Sequence, residues 1–378
     1  MKRNNQSTII AIILILAIMF SLMTIYAFGE GKENDICVSA RSATLFIPEN
    51  GKFIYSKNSE QRLPMASTTK IMTALIALEM CDMSETVEIG ESASGIEGSS
   101  AYLKVGDILT MEELIYALLL QSANDAAVAI AEYIGGDIDG FADIMNERAS
   151  QMGLCNTNFT NPHGLDDDEH YTTARDLAII AGVALSNDDF VKIVSTKKRT
   201  FSTEDRVRTY VNHNKLLSSY EGCIGVKTGY TKRCGRCLVS AAVRDDLLLV
   251  SVTLDAPNDW SDHKKMLDFG FDSYEKITFA DKMAEVYKIG VLGSDESEMI
   301  VLNTESASAI VKKGSYITES HPKLMRFATA PIKRGDIMGE IIYTIDGKEA
   351  ARVDLVATKD INVKKEKGLF SKILSFFK

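Results

Sequence analysis

Positive charge is in short supply in this 378-residue chain: 42 lysines and arginines face 52 acidic residues, for a net charge of −10. Binding to a phosphate backbone needs a basic surface, so nucleic acid is excluded as a partner. What remains is a globular body of ordinary composition, 46% hydrophobic and 25% charged. Histidine is scarce as well, with five residues scattered along the chain. One C-x-x-C spacing, Cys234-Gly235-Arg236-Cys237, has neither a second such pair nor a histidine pair to complete a zinc site, so no metal and no cofactor is expected. The six cysteines (Cys37, Cys81, Cys155, Cys223, Cys234, Cys237) permit disulfides in an exported chain without requiring them. Cys81 and Cys155, in or beside helical stretches, are expected to be buried small hydrophobes, and Cys223 a packing residue.

Both ends carry membrane signals. Met1-Lys2-Arg3, an apolar run from Ile9 to about Tyr26, and the small-residue pattern Ala27-Phe28-Gly29 read as a secretory signal over residues 1–29. An uncleaved anchor is the competing reading. At the other end, residues 361–378 read as a charged linker and an amphipathic helix. Leu369, Phe370, Ile373, Leu374, Phe376 and Phe377 share one face, and Lys367, Ser371, Lys372, Ser375 and Lys378 the other. That segment is too short to span a bilayer but suits a membrane surface with anionic headgroups. Docking on its own protein is the alternative.

The length suggests two domains, at roughly 100–200 residues each. Ala43–Ile47 and Phe53–Tyr55 flank the turn Glu49-Asn50-Gly51 as a hairpin. A periodic run opening at Ser67 and continuing to Met80 predicts a helix with Ser67 at its beginning and Lys70 one turn on. Thr110 caps a helix through Leu120, and Gln121–Asn124 is a junction before an alanine-rich helix ending near Gly135-Gly136. Further helices at about 138–152, 172–186 and 187–195 make the middle of the chain an all-helical lobe. Two apolar runs between Leu238 and Leu254, split by Arg244-Asp245-Asp246, form a strand pair, and a helix from about Ser261 to Phe269 closes the domain. Beyond Tyr274, short alternating segments such as 299–302 and 341–345 predict a small all-β domain over residues 275–360. It lacks a convergent nucleophile and base, and reads as a spacer or partner surface.

Chemistry is concentrated in three strings: Ser67-Thr68-Thr69-Lys70, Ser122-Ala123-Asn124 and Lys227-Thr228-Gly229. Together they supply a serine nucleophile, a lysine one turn away, a second hydroxyl with an amide, and a cationic strand segment suited to a carboxylate. Singly they are weak, since S-x-x-K recurs at Ser195–Lys198 and Ser320–Lys323, and Ser56-Lys57-Asn58 repeats the S-x-N pattern. Their order and local context discriminate. His163 lies in the turn-like string Asn161–Leu165 and reads as structural.

With Pro64–Met72, Asn161–Leu165, Thr172–Leu177 and Gly225–Thr231 added, the chain resembles the low-molecular-mass penicillin-binding proteins, specifically the D-alanyl-D-alanine carboxypeptidases. The resemblance runs from about Cys37 to the terminal helix. It implies an α/β fold: a transpeptidase domain like that of penicillin-binding proteins and serine β-lactamases over residues 37–274, with an antiparallel sheet flanked by helices plus the helical lobe. It also implies Ser67 as nucleophile, Lys70 as base, Ser122 and Asn124 in proton transfer and positioning, and Lys227, Thr228, Gly229 and Tyr230 as substrate-binding residues. The N–H groups of Ser67 and Tyr230 would form the oxyanion hole. The implied substrate is a peptidoglycan stem peptide, with β-lactams as acylating inhibitors, at the extracytoplasmic face of a bacterial membrane.

Two departures stand out. Many relatives carry a carboxylate-gripping arginine where this chain reads Pro257-Asn258-Asp259-Trp260, leaving Arg233, Arg236 or no residue to substitute. Cys234 also stands where relatives commonly have a small residue. Two other functions compete. A serine β-lactamase of class A would need a glutamate followed four residues later by asparagine, whereas Glu169 is followed by Thr173. The second is a membrane-tethered, penicillin-binding sensor or scaffold without turnover.

Overall fold

The computed structural model describes residues 36–202 and 206–364. The chain divides into two units, residues 1–38 and 39–378, and every described helix and strand belongs to the second. The signal-like segment 1–29 and the amphipathic stretch 366–378 lie outside the described residues. Among the described residues, no helix is long and apolar enough to cross a membrane.

Strands β1 (Ser42–Ile47) and β2 (Lys52–Lys57) form the expected hairpin, its turn closed by Gly51 at φ +69°. Helix α1 (Lys70–Met80) follows, then the short pair β3 (Thr86–Glu88) and β4 (Ile108–Thr110). Helix α2 (Met111–Leu120) starts with a full capping box, in which Thr110 and Glu113 satisfy each other's backbone N–H. Helices α3 (Asn124–Gly135), α4 (Ile138–Gln151), α5 (Ala174–Ala184) and α6 (Asp188–Ser195) complete the lobe. Residues 70–77 of α1 are buried without interruption, as befits a helix surrounded by others.

The lobe is not purely helical. Besides β3 and β4, a hairpin of β5 (Lys198–Ser202) and β6 (Val207–Val211) follows α6. Its strands are short and largely exposed, so they carry little of the apolar alternation that betrays a strand. Tertiary pairs hold them, with Arg206 and Arg208 both reaching Asp107.

After the single-turn helix α7 (Leu216–Ser219) come β7 (Cys223–Thr231), β8 (Gly235–Arg244), β9 (Leu247–Leu254) and α8 (Asp259–Ser273). The sheet has the order β2-β1-β9-β8-β7 and is antiparallel throughout. Leu45 and Leu249 meet α8 at Gly270, while Phe46 meets α5 at Gly182. Alternate residues of β1 thus face different helices. One apolar cluster runs through lobe and sheet from Phe46 to Leu254.

The remainder is all β. After β10 (Tyr274–Ala280), β11 (Val286–Leu292) and β12 (Glu298–Asn303) comes β13 (Ala307–Lys312), which pairs with β10 in a two-stranded ribbon, while β11 and β12 join a six-stranded sheet with its own core around Val301, Ile341 and Leu355. Lys276 pairs with Glu49, and Lys52 lies over the Tyr274 ring, at the join to the first domain.

Cysteine placement departs from expectation. Cys155 is exposed and Cys81, just beyond α1, is half-buried, because both follow helix ends and not inward faces. Cys223 is half-buried, with its thiol 3.4 Å from the Gly225 carbonyl. Among the described residues, no two cysteines are joined in a disulfide.

Candidate active site

Ser67 does not open an α-helix. It sits in a 3-10 turn, Ala66–Thr69, and α1 begins at Lys70. Hydroxyls hold the turn locally: Thr68 Oγ1 donates to Met65 O at 2.6 Å and Thr69 Oγ1 to Ala66 O at 2.8 Å, the kind of side-chain-to-backbone bond that competes with a regular helix. Ala66 itself takes φ +48°.

The turn and α1 place Lys70 Nζ 3.0 Å from Ser67 Oγ. Lys70 is fully buried, and Nζ also donates to Asn124 Oδ1 at 2.7 Å and His163 O at 2.6 Å. Burial, followed by the charge of Lys227, holds its pKa well below the ordinary lysine range, and Asp125 only partly opposes this. A lysine so placed can be neutral and can accept a proton from the adjoining hydroxyl.

Asn124 is the first residue of α3, and Ala123 occupies the cap position. Its amide is oriented from both ends, because Nδ2 donates to Glu97 O at 2.6 Å, which leaves Oδ1 to Lys70. Ser122, at φ +60°, turns its hydroxyl to Lys227 Nζ at 2.9 Å. Lys227 is 2% exposed and also donates to Thr228 O; burial lowers its pKa to about 7. Strand β7 brings it there. Gly229 makes the approach possible, since a Cβ at that position would lie 3.1 Å from Ser67 N and 3.2 Å from the Ala66 Cβ.

Ser67, Ser122, Thr228, Gly229 and Tyr230 line one cleft of about 340 Å³, and Tyr230 is 64% exposed at its lip. Lys70, Asn124 and Lys227 are buried and do not line it, Lys70 bonding Ser67 and Asn124, and Lys227 bonding Ser122. All eight residues expected from the sequence are therefore brought together.

Six further residues line the same cleft: Ser99, His213, Lys215, Arg236, Asp259 and Trp260. Nothing in local sequence marks His213 or Lys215, which reach the cleft from the segment before α7. Of the two candidate arginines, one lines the cleft. Arg236 faces the cleft opposite Tyr230 in the β7/β8 register, its guanidinium 2.9 Å from Asp259 and 5.8 Å from the Trp260 ring centroid. Arg233 instead pairs with Asp168 at 2.6 Å, both exposed. The stretch that lacks an arginine thus supplies the residues that hold one.

His163 is a buried turn residue whose Nδ1 accepts from Leu165 N at 3.1 Å. Burial and Lys70 lower its pKa to about 3. Its main-chain carbonyl is what reaches the site, a contribution that residue type cannot announce. Glu169 bonds within its own loop, through Asn158 and Asp167, and among the described residues no glutamate lines the cleft.

Fold and constellation together define a serine acyl-transfer protein of the penicillin-binding kind, with a serine and a buried lysine on adjoining turns and a cationic strand opposite. Comparison with known proteins agrees. The family model described as D-alanyl-D-alanine carboxypeptidase (Peptidase_S11) matches residues 30–258, and that of the penicillin-binding protein 5 C-terminal domain matches residues 274–363. The chain belongs to the D-alanyl-D-alanine carboxypeptidase family of serine peptidases. D-alanyl-D-alanine carboxypeptidase DacF of Bacillus subtilis is 33% identical over 89% of this chain and 90% of its own length. DacC of Escherichia coli is 32% identical over 90% and 88%. Among solved structures, penicillin binding protein 5 from Haemophilus influenzae superposes with a TM-score of 0.67 at 30% identity, covering 87% of this chain and 99% of that one. The Streptomyces K15 DD-transpeptidase gives 0.60 at 34% identity, over 63% and 99%.

Proposed function

We propose that this protein is a serine D-Ala-D-Ala carboxypeptidase, which trims the terminal D-alanine from peptidoglycan stem pentapeptides through an acyl-enzyme on Ser67 that β-lactams also form. The observation that carries the reading is the buried Lys70 amine, 3.0 Å from Ser67 Oγ and anchored by Asn124.

In this reading neutral Lys70 takes the Ser67 proton as Oγ attacks the carbonyl between the two D-alanines. The N–H groups of Ser67 and Tyr230 receive the developing oxyanion, a contribution of roughly 3–4 kcal/mol per donor in comparable sites. The proton taken by Lys70 returns through the Ser122 hydroxyl, which gains one as it gives one, to the departing nitrogen, so Lys70 is neutral again and D-alanine leaves with a neutral amino group that takes a further proton from water. Lys227 and the Thr228 hydroxyl hold the substrate's terminal carboxylate, and Arg236 adds a second cation at the mouth. Water then adds across the ester, returning the proton to Oγ and releasing the shortened peptide. The reaction needs neither a metal nor a cofactor for any of these steps.

We also assign residues 1–29 as a signal peptide, 37–274 as the catalytic domain, 275–360 as the β domain and 361–378 as linker and membrane-binding helix, which places the enzyme at the extracytoplasmic membrane face. Family membership supports this location, because the substrate class is cell-wall material. Release of D-alanine from diacyl-Lys-D-Ala-D-Ala, lost in Ser67→Ala, is the deciding assay. Penicillin binding without any D-alanine release would favour a sensor, and clearance of the penicilloyl adduct within seconds a β-lactamase.

A further inference from the structure

One buried titratable group near the nucleophile takes no part in the acyl-transfer steps. His170 is 3% exposed and does not line the cleft, and Phe159 lies edge-on to its ring. Its two nitrogens have unlike partners. Nδ1 lies 3.0 Å from the backbone nitrogen of Thr160, and Nε2 lies 2.8 Å from Thr69 Oγ1.

A backbone N–H can only donate, so Nδ1 accepts, and a neutral ring must then carry its proton on Nε2. Burial keeps the ring neutral, with the pKa lowered to about 4. Nε2–H therefore donates to Thr69 Oγ1, whose own hydrogen goes to Ala66 O at 2.8 Å. The direction of each bond along this line follows from the one fixed donor at Thr160.

The carbonyl at its end belongs to the peptide unit whose other end is the N–H of Ser67. A hydrogen bond accepted by a peptide carbonyl strengthens the same unit as a donor, and chained bonds polarise one another. The same carbonyl is confined sterically: Gly164, at φ +86°, has no room for a Cβ because Ala66 O occupies that space.

We propose that His170 is a positioning residue for acyl transfer: through Thr69 it orients and polarises the Ala66–Ser67 peptide, so that the Ser67 N–H meets the oxyanion as a stronger, better-aimed donor. The inference rests on the reading of Ser67 as nucleophile and of its N–H as one of the two oxyanion donors. It concerns the transition state, where charge develops on the carbonyl oxygen, and so predicts loss in kcat with KM nearly constant.

The test uses the full chain with three variants: His170→Phe, which keeps ring volume but no donor; His170→Gln, whose amide can still donate to Thr69; and Thr69→Val, which removes the middle hydroxyl. Each is assayed for D-alanine release from diacyl-Lys-D-Ala-D-Ala, for inhibition by a boronic acid analogue of the tetrahedral intermediate, and for thermal unfolding. The expected result is a fall in kcat of about three- to tenfold for His170→Phe and Thr69→Val, the size of one modest hydrogen bond. Boronate affinity should weaken by the same factor with KM unchanged, and His170→Gln should recover most of the loss. Thr69→Val with His170→Phe should be no worse than either alone. A kcat within twofold of wild type in folded Thr69→Val, or losses in His170→Phe that appear in KM or follow unfolding alone, would overturn the proposal. If the wild-type chain itself releases no D-alanine, the failure lies with the carboxypeptidase reading and not with the role of His170.

Discussion

Arg236 on β8 and Asp259 at the start of α8 meet at 2.9 Å at the cleft, the arginine side chain 42% exposed and the aspartate 3%. The buried carboxylate aims the guanidinium, and the exposed edge of the guanidinium leaves donors for a ligand. Trp260, whose backbone N–H also bonds Asp259, supplies an aromatic face beside it.

Arg236→Gln is accordingly expected to raise KM for a substrate with a free terminal carboxylate about tenfold while leaving kcat within about twofold. The glutamine amide can still reach Asp259, which limits disturbance of the buried acid. Steady-state kinetics on the tripeptide and on its C-terminal amide check this, since the amide should be insensitive to the substitution.

The two buried lysines set the pH profile. Lys70 must be neutral to accept a proton, and Lys227 must be charged to hold a carboxylate. Burial lowers both, and the charge of Lys227 lowers Lys70 further while Asp125 partly opposes this, so the productive state pairs a neutral Lys70 with a charged Lys227. For the free enzyme, kcat/KM should therefore rise as Lys70 loses its proton and fall as pH climbs through about 7, where Lys227 loses its own. A bound carboxylate favours charged Lys227, so the falling limb of kcat should lie at higher pH. Rate profiles over the neutral range check the order, and with a carboxamide substrate the limb near 7 should vanish.

Asn124 holds Lys70 through a neutral oxygen, with its amide nitrogen on Glu97 O. In Asn124→Asp a negative charge would stand beside the amine and raise its pKa. Acylation by penicillin at pH 7 should slow about tenfold or more and recover toward higher pH. Stopped-flow acylation at several pH values measures both effects, and an unshifted profile would count against Lys70 as the base.

Gly164 packs against the carbonyl of Ala66 at positive φ. A methyl group there must displace the nucleophile turn, at a cost of about 1–3 kcal/mol in stability. Gly164→Ala should lower the unfolding midpoint and slow acylation together, whereas alanine at Gly153, which also has positive φ but open space around its Cβ direction, should affect stability alone. Differential scanning calorimetry alongside penicillin labelling separates the two.

Much of the site is legible in the sequence because its chemistry is local. Ser67 and Lys70 are one turn apart in any helical geometry, and Thr110 with Glu113 marks a helix start wherever it occurs. The strand pair split by Arg244-Asp245-Asp246 falls where apolar runs and a charged break place it. The hairpin of β5 and β6 is not legible because exposed strands lack an apolar face, and Cys155 runs against expectation because proximity to a helix says nothing about which way a thiol points.

Residue types in chain order determined the family and singled out the proposed nucleophile, its proposed base and the cationic strand, since those depend on spacings of a few residues. Only the tertiary structure decided what surrounds them. The approach of β7 to the Ser67 turn at Gly229, the His163 carbonyl on Lys70, the Arg236–Asp259 pair and the line from Thr160 to Ala66 all join segments distant in sequence. Such contacts arise from packing a shared core, and through burial they set the protonation of two lysines whose identity alone would leave both charged.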